Sequence, residues 1–207
     1  MIQFLAYDDF DNTPNYKGLR KSWGPHKRNW NDGDPTWNGE KGKGIIGALN
    51  FLSWKGLNAF SFITFNVGGD DRNCFMYISS SEYTRIDVSK TEQWEVVFEH
   101  ADSLGLYMHF KLSEFENPDH LDGGKLGIQR KVYYRELMAR FGHHLALNWN
   151  IGEENRNSNS ERKAFAEYFE AVDCYNHPLV SATICELVIF LFRIKPSNRC
   201  PPHFPDR

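Results

Sequence analysis

Strand-like and helix-like patterns alternate along this chain from residue 45 to residue 183. Such alternation predicts an α/β fold with parallel strands joined by crossover helices, at roughly 40 residues per unit. The connections differ by end. Those before strands are short, as at Gly56-Leu57 and residues 142–145, whereas those after strands are longer and polar. That asymmetry places function at the carboxyl ends of the strands, as in a (β/α) barrel. The chain has 207 residues, and a complete eight-unit barrel takes ~250. The prediction is therefore a partial TIM (β/α) barrel of four to five β/α units over residues 1–183. An irregular C-terminal tail, residues 184–207, follows it as a divergent segment, because Pro196, Pro201, Pro202 and Pro205 preclude a regular helix there.

The elements follow in order. Residues 4–7 are a short apolar strand entering the acidic group Asp8, Asp9 and Asp11. Residues 12–43 lack periodicity and read as a long loop. Ile45, Ala48, Leu49 and Leu52 make a helical apolar face, and Gly56 is placed to end that helix. Residues 58–66 read as a buried strand and 67–86 as loop. Ser89 and Glu92 have capping-box spacing ahead of a helix with inner face Trp94, Val97, Phe98 and Ala101. Residues 104–112 are the next strand. Tyr134, Leu137, Met138 and Phe141 give a third helix face, closed by Gly142. Residues 146–151 form a further strand. A capping box at Ser158 and Glu161 opens a helix with face Phe165, Tyr168, Phe169 and Val172, and residues 177–183 begin the last strand.

Composition narrows the function classes. The apolar share is 41% and the charged share 25%, ordinary for a globular domain. Net charge is −3 with no basic block, which argues against nucleic acid as a partner. The longest apolar run, residues 187–192, is too short to span a membrane. The first nine residues lack a basic region and a cleavage site, so they do not read as a signal peptide. Cys74, Cys174, Cys185 and Cys200 form no C-x-x-C pair and read as free thiols. Aromatic residues reach 15%, enough to line a carbohydrate cleft as well as a core.

Residues 145–155 hold the strongest chemical signal. An apolar strand runs into Gly152-Glu153-Glu154-Asn155. A carboxylate there faces the active end of a barrel, so Glu154 and Glu153 are the candidate catalytic acids. Both also suit the start of the following helix, whose positive end favours carboxylates. Asp8, Asp9, Asn66, Asp70, Glu116, Asn117 and Trp149 lie at or beside strand ends and are candidate sugar contacts. Asp and Asn at such places also stabilise turns through their own backbone. Gly42, Gly44 and Gly47 fit G-x-G-x-x-G, but no strand precedes them, so they read as helix–loop packing rather than a nucleotide site. His143-His144 is a weak chelator by itself, and Cys174 near His177 lacks a nucleophile's surroundings. No cofactor or metal is expected.

Several long blocks carry a family resemblance: FLAYDDFDNTP, GDPTW, GKGIIGALNFL, ITFNVGGDD, QWEVVFEHADSLGLYMHFKLSEFEN, RKVYYRELMARFGHHLALNWNIGEEN and RKAFAEYFEAVD. Over residues 4–181 the chain resembles a family of proteins assigned as glycoside hydrolases with a (β/α)8 barrel. These often carry an Ig-like domain before the barrel and a domain assigned as collagen-binding in type after it. The resemblance implies export of full-length relatives, oligo- or polysaccharide as substrate, and an acid/base directly after the fourth strand. It puts Glu154 at that acid/base position and Glu153 where an Asn is usual. The nucleophile of such enzymes follows the seventh strand, which implies that this chain holds one half of the site and is inactive alone. The alternative is a degenerate barrel fragment that binds carbohydrate without catalysis. An incomplete barrel also has open sheet edges and an uncovered interior. Self-association is therefore expected: Phe60, Phe62, Phe65, Leu147 and Trp149 alternate between the helix-facing and the barrel-facing side, and the barrel-facing ones are left in an exposed apolar patch.

Overall fold

The computed structural model describes residues 23–68, 74–154 and 156–181. The expected strand at residues 4–7 and the tail 184–207 lie outside them. Helix α1 (Lys43–Trp54) ends where Gly56 N–H donates to Ser53 O and Leu57 N–H to Leu52 O. Gly56 has φ 76, a left-handed turn that costs glycine nothing sterically. Gly47 in the same helix is tightly approached: a Cβ there would sit 2.1 Å from His26 O. The glycine pattern at 42–47 thus serves helix–loop packing against a short 3₁₀ turn at Gly24–Asn29.

Strand β1 (Ala59–Ile63) follows. The stretch 67–86, expected as loop, holds further strands. Residues 77–86 form an antiparallel hairpin of β2 (Tyr77–Ser79) and β3 (Glu82–Ile86). Its local sequence is weak for strand, with three serines at the turn. Tyr77 and Tyr83 pack edge-on against Phe65 at 6.1 and 5.8 Å, and that tertiary contact fixes the hairpin. Helix α2 (Val88–Ser103) also starts earlier than its capping box suggested. Its cap is Asp87, whose carboxylate accepts from Lys90 N–H at 3.1 Å. A carboxylate at that position satisfies an orphan donor and faces the positive helix end, which leaves Ser89 inside the first turn.

The remaining units alternate as expected: β4 (Tyr107–Lys111), α3 (Ile128–Phe141), β5 (Leu147–Asn150), α4 (Asn159–Val172) and β6 (Leu179–Val180). Ser158 and Glu161 form the reciprocal capping box at the start of α4. The four strands β1-β4-β5-β6 lie side by side, all parallel. Helices α2, α3 and α4 cover one side of them. Among the described residues no helix is long and apolar enough to cross a membrane.

The core lies between strands and helices. Phe62 stacks on Phe98 of α2 at 5.0 Å, Phe110 lies 6.1 Å from Phe141 of α3, and Trp149 lies 6.0 Å from Phe169 of α4. Register aligns Phe62, Phe110 and Trp149 in one row and Phe60, Met108 and Leu147 in the row below. Strand side chains alternate, so the opposite side carries Ser61, His109 and Asn148 in one row, with Ile63, Lys111, Asn150 and Val180 above. This corrects the expected apolar patch. Phe60, Phe62, Phe65, Leu147 and Trp149 are all buried, and the barrel-facing rows are mixed, with polar residues beside Ile63 and Val180.

Candidate active site

The site rises from the polar residues of these rows. His109 lies between two partners: Ser61 Oγ is 3.1 Å from its Nδ1, and Asn150 Nδ2 is 3.2 Å from its Nε2. An amide nitrogen only donates, so Nε2 accepts and the ring proton sits on Nδ1, donating to Ser61. Burial, and next the Lys111 ammonium, push the His109 ring below its ordinary pKa, against an opposing pull from Glu153. The imidazole is therefore neutral near pH 7, as that bonding pattern requires.

Above His109, at the carboxyl end, Lys111 forms an ion pair with Glu153. The Lys111 side chain is only 10% exposed, and a cation so buried needs such a partner. The contact reaches Glu153 Oε2 as a charge pair, and that oxygen accepts no hydrogen bond of regular geometry. The backbone makes the placement. Glu153 N–H donates to Ser113 O beyond β4 at 3.0 Å, and Ile151 N–H to Val180 O of β6 at 3.0 Å. Gly152 N–H donates to the Asn150 side chain at 3.1 Å. The loop after β5 is thus tied to both neighbouring strands. Glu154, next in line, is exposed and has φ 47, a left-handed backbone uncommon for a side chain with a Cβ.

The other sequence candidates fall into three groups. Asn66 and Asn117 meet, but they bond protein groups. Asn117 Oδ1 accepts from Val67 N–H at 2.9 Å and Gly68 N–H at 2.7 Å, while its Nδ2 donates to Asn66 Oδ1 at 3.1 Å. Asn66 Nδ2 donates to Glu114 Oε2 at 2.9 Å. This buried network locks the loop after β1 to the loop after β4. Trp149 points to the helices, fully buried, and does not stand beside the acid; its parity along β5 is that of Leu147. Glu116 is exposed on the loop after β4. Asp8, Asp9 and Asp70 lie outside the described residues.

His109, Lys111 and Asn150 were not singled out by sequence reasoning, although the signal is present. In residues 108–112 and 147–151 the polar members alternate strictly with apolar ones. A period of two marks them as sharing a face.

No family model matches the chain, and no curated protein aligns with it. Solved structures do. A glycoside hydrolase matches at TM-score 0.51 and 19% identity, over 66% of this chain and 32% of its own. A protein from Bacteroides vulgatus ATCC 8482, assigned provisionally as a glycoside hydrolase, matches at TM-score 0.54 and 11% identity, over 84% and 34%. A glycoside hydrolase family 5 protein from the same organism matches at TM-score 0.49 and 16% identity, over 67% and 31%, a similarity too low to carry an argument. These likenesses show the fold. The chain has the α/β architecture of part of a glycoside-hydrolase barrel and spans about a third of the length of the structures it resembles.

Proposed function

We propose that this chain supplies the acid/base half of a glycosidase site in a (β/α)8 barrel that acts on oligo- or polysaccharides. The observation that carries the reading is the Glu153–Lys111 pair at the carboxyl ends of β5 and β4, set over the His109–Asn150 pair. That end is where barrel enzymes build their sites. Glu154 is the proposed acid: it stands at the acid/base position implied by the family resemblance and is open to a ligand. Glu153, held by Lys111, fixes the turn from which Glu154 projects. His109 and Asn150 offer directional hydrogen bonds to sugar hydroxyls.

In this mechanism Glu154 donates a proton to the departing glycosidic oxygen while a second carboxylate attacks the anomeric carbon. Glu154 then takes a proton from the water that releases the sugar. The second carboxylate comes from a later strand of the complete barrel. Residues 1–207 alone are therefore expected to bind sugar without cleaving it. Saturation-transfer NMR with a panel of plant and algal oligosaccharides, run beside aryl-glycoside assays, tests this. The expected result is transfer to sugar protons, weakened in Asn150→Ala, with no turnover. Failure to bind any sugar overturns the carbohydrate reading. Turnover lost in Glu154→Gln overturns only the half-site.

A further inference from the structure

A second cluster lies at the other end of the sheet. His143 and His144 sit in the short connection before β5, at the amino-terminal side of the strands. The fold brings Glu95 of α2 to both. His143 Nε2 is 3.0 Å from Glu95 Oε1, and His144 Nε2 is 3.3 Å from Glu95 Oε2. The two imidazoles lie with ring centroids 4.1 Å apart. One ligand atom from each residue falls within 4.8 Å of the others. We propose that Glu95, His143 and His144 form a site for a divalent transition-metal ion of the zinc type, which ties α2 to the α3–β5 connection.

Adjacent histidines alone chelate poorly, but here a third ligand arrives from another element. Two imidazole nitrogens and a carboxylate are a donor set suited to Zn²⁺, with a solvent position left over. Zinc bonds of ~2.0–2.2 Å require the three atoms to draw closer together. His143, 49% exposed, has the freedom to swing in, whereas His144 is fixed at 1% exposure. The independent support is Asp102, two helical turns beyond Glu95 on α2. Its Oδ2 is 2.6 Å from His144 Nδ1. A carboxylate holding the far nitrogen sets the tautomer that presents Nε2 to a metal, the arrangement found behind zinc-bound histidines. Asp102 is thus a positioning residue. The site lies at the opposite ends of the strands from Glu153 and does not depend on the glycosidase reading.

The test uses the full chain, stripped with chelator and titrated with Co²⁺ as a spectroscopic probe and then with Zn²⁺. One ion per chain is expected, with visible ligand-field bands and no thiolate charge-transfer band, so the cysteines are not the ligands. His143→Ala and Glu95→Gln should each weaken binding at least tenfold, and Asp102→Asn by roughly ten- to a hundredfold. Zn²⁺ should raise the melting midpoint of the parent chain but not of His143→Ala. His143 is half-exposed, so that variant folds, as far-ultraviolet circular dichroism would verify. Absence of 1:1 binding at micromolar metal, a thiolate band, or affinity unchanged in Glu95→Gln and His143→Ala would each overturn the site.

Discussion

Asn117 shows how a residue type can be read correctly for place and wrongly for role. It stands at a strand end, as a sugar contact would, yet its carbonyl oxygen satisfies two backbone donors, one buried and one part-buried. Asn117→Ala leaves Val67 and Gly68 N–H without that acceptor, and an unsatisfied buried donor costs ~1–3 kcal/mol. A loss of about 3 kcal/mol in urea denaturation is expected; a loss below ~0.5 kcal/mol would mean that the network does not hold the loops. Asp173 makes a parallel prediction for pH. Burial alone would raise its pKa, but the His177 ring and backbone N–H and the Tyr175 N–H outweigh burial and hold it below its ordinary value. Its stabilising contribution is therefore complete above the unfolded pKa of ~3.9 and is lost as pH falls through the folded value. Asp173→Asn should flatten the fall of stability below about pH 4; identical acid limbs in the parent and the variant would contradict the assignment.

Elements were legible in the sequence where local pattern and tertiary packing agree. The strands at 59–63, 107–111, 147–150 and 179–180 coincide with apolar runs between helical faces, so alternation sufficed to find them. The hairpin at 77–86 was not legible, because its strands are short and its apolar partners, Phe65 above all, are distant in sequence. The polar residues of the site were legible in principle from the period-two placing of His109, Lys111, Asn148 and Asn150. What no local pattern contains is the pairing of Lys111 with Glu153, or of Asn66 with Asn117, since each joins residues of different units. Helix starts show the same limit at shorter range. Asp87, not Ser89, caps α2. Asp87→Ala should cost about 1 kcal/mol, while Ser89→Ala should stay within ~0.5 kcal/mol. Equal losses in urea denaturation would return the cap to Ser89.

At the scale of the whole molecule, the two ends of the sheet divide the work. The carboxyl end gathers an exposed acid, an ion pair and a neutral histidine bonded to an amide. The amino end gathers the Glu95–His143–His144 cluster and the Asp173–His177 contact. The helical side is sealed by aromatic packing from Phe62 to Trp149, so sugar has no access there. The central claim is that the carboxyl end is a carbohydrate site. Its most direct test is to titrate the isotopically labelled chain with oligosaccharide and map the amide and side-chain chemical shifts. Perturbations should concentrate at His109, Lys111, Asn150 and residues 152–154, and should diminish in Asn150→Ala. Perturbations confined to the amino-terminal connections, or none with any oligosaccharide of the panel, would contradict it.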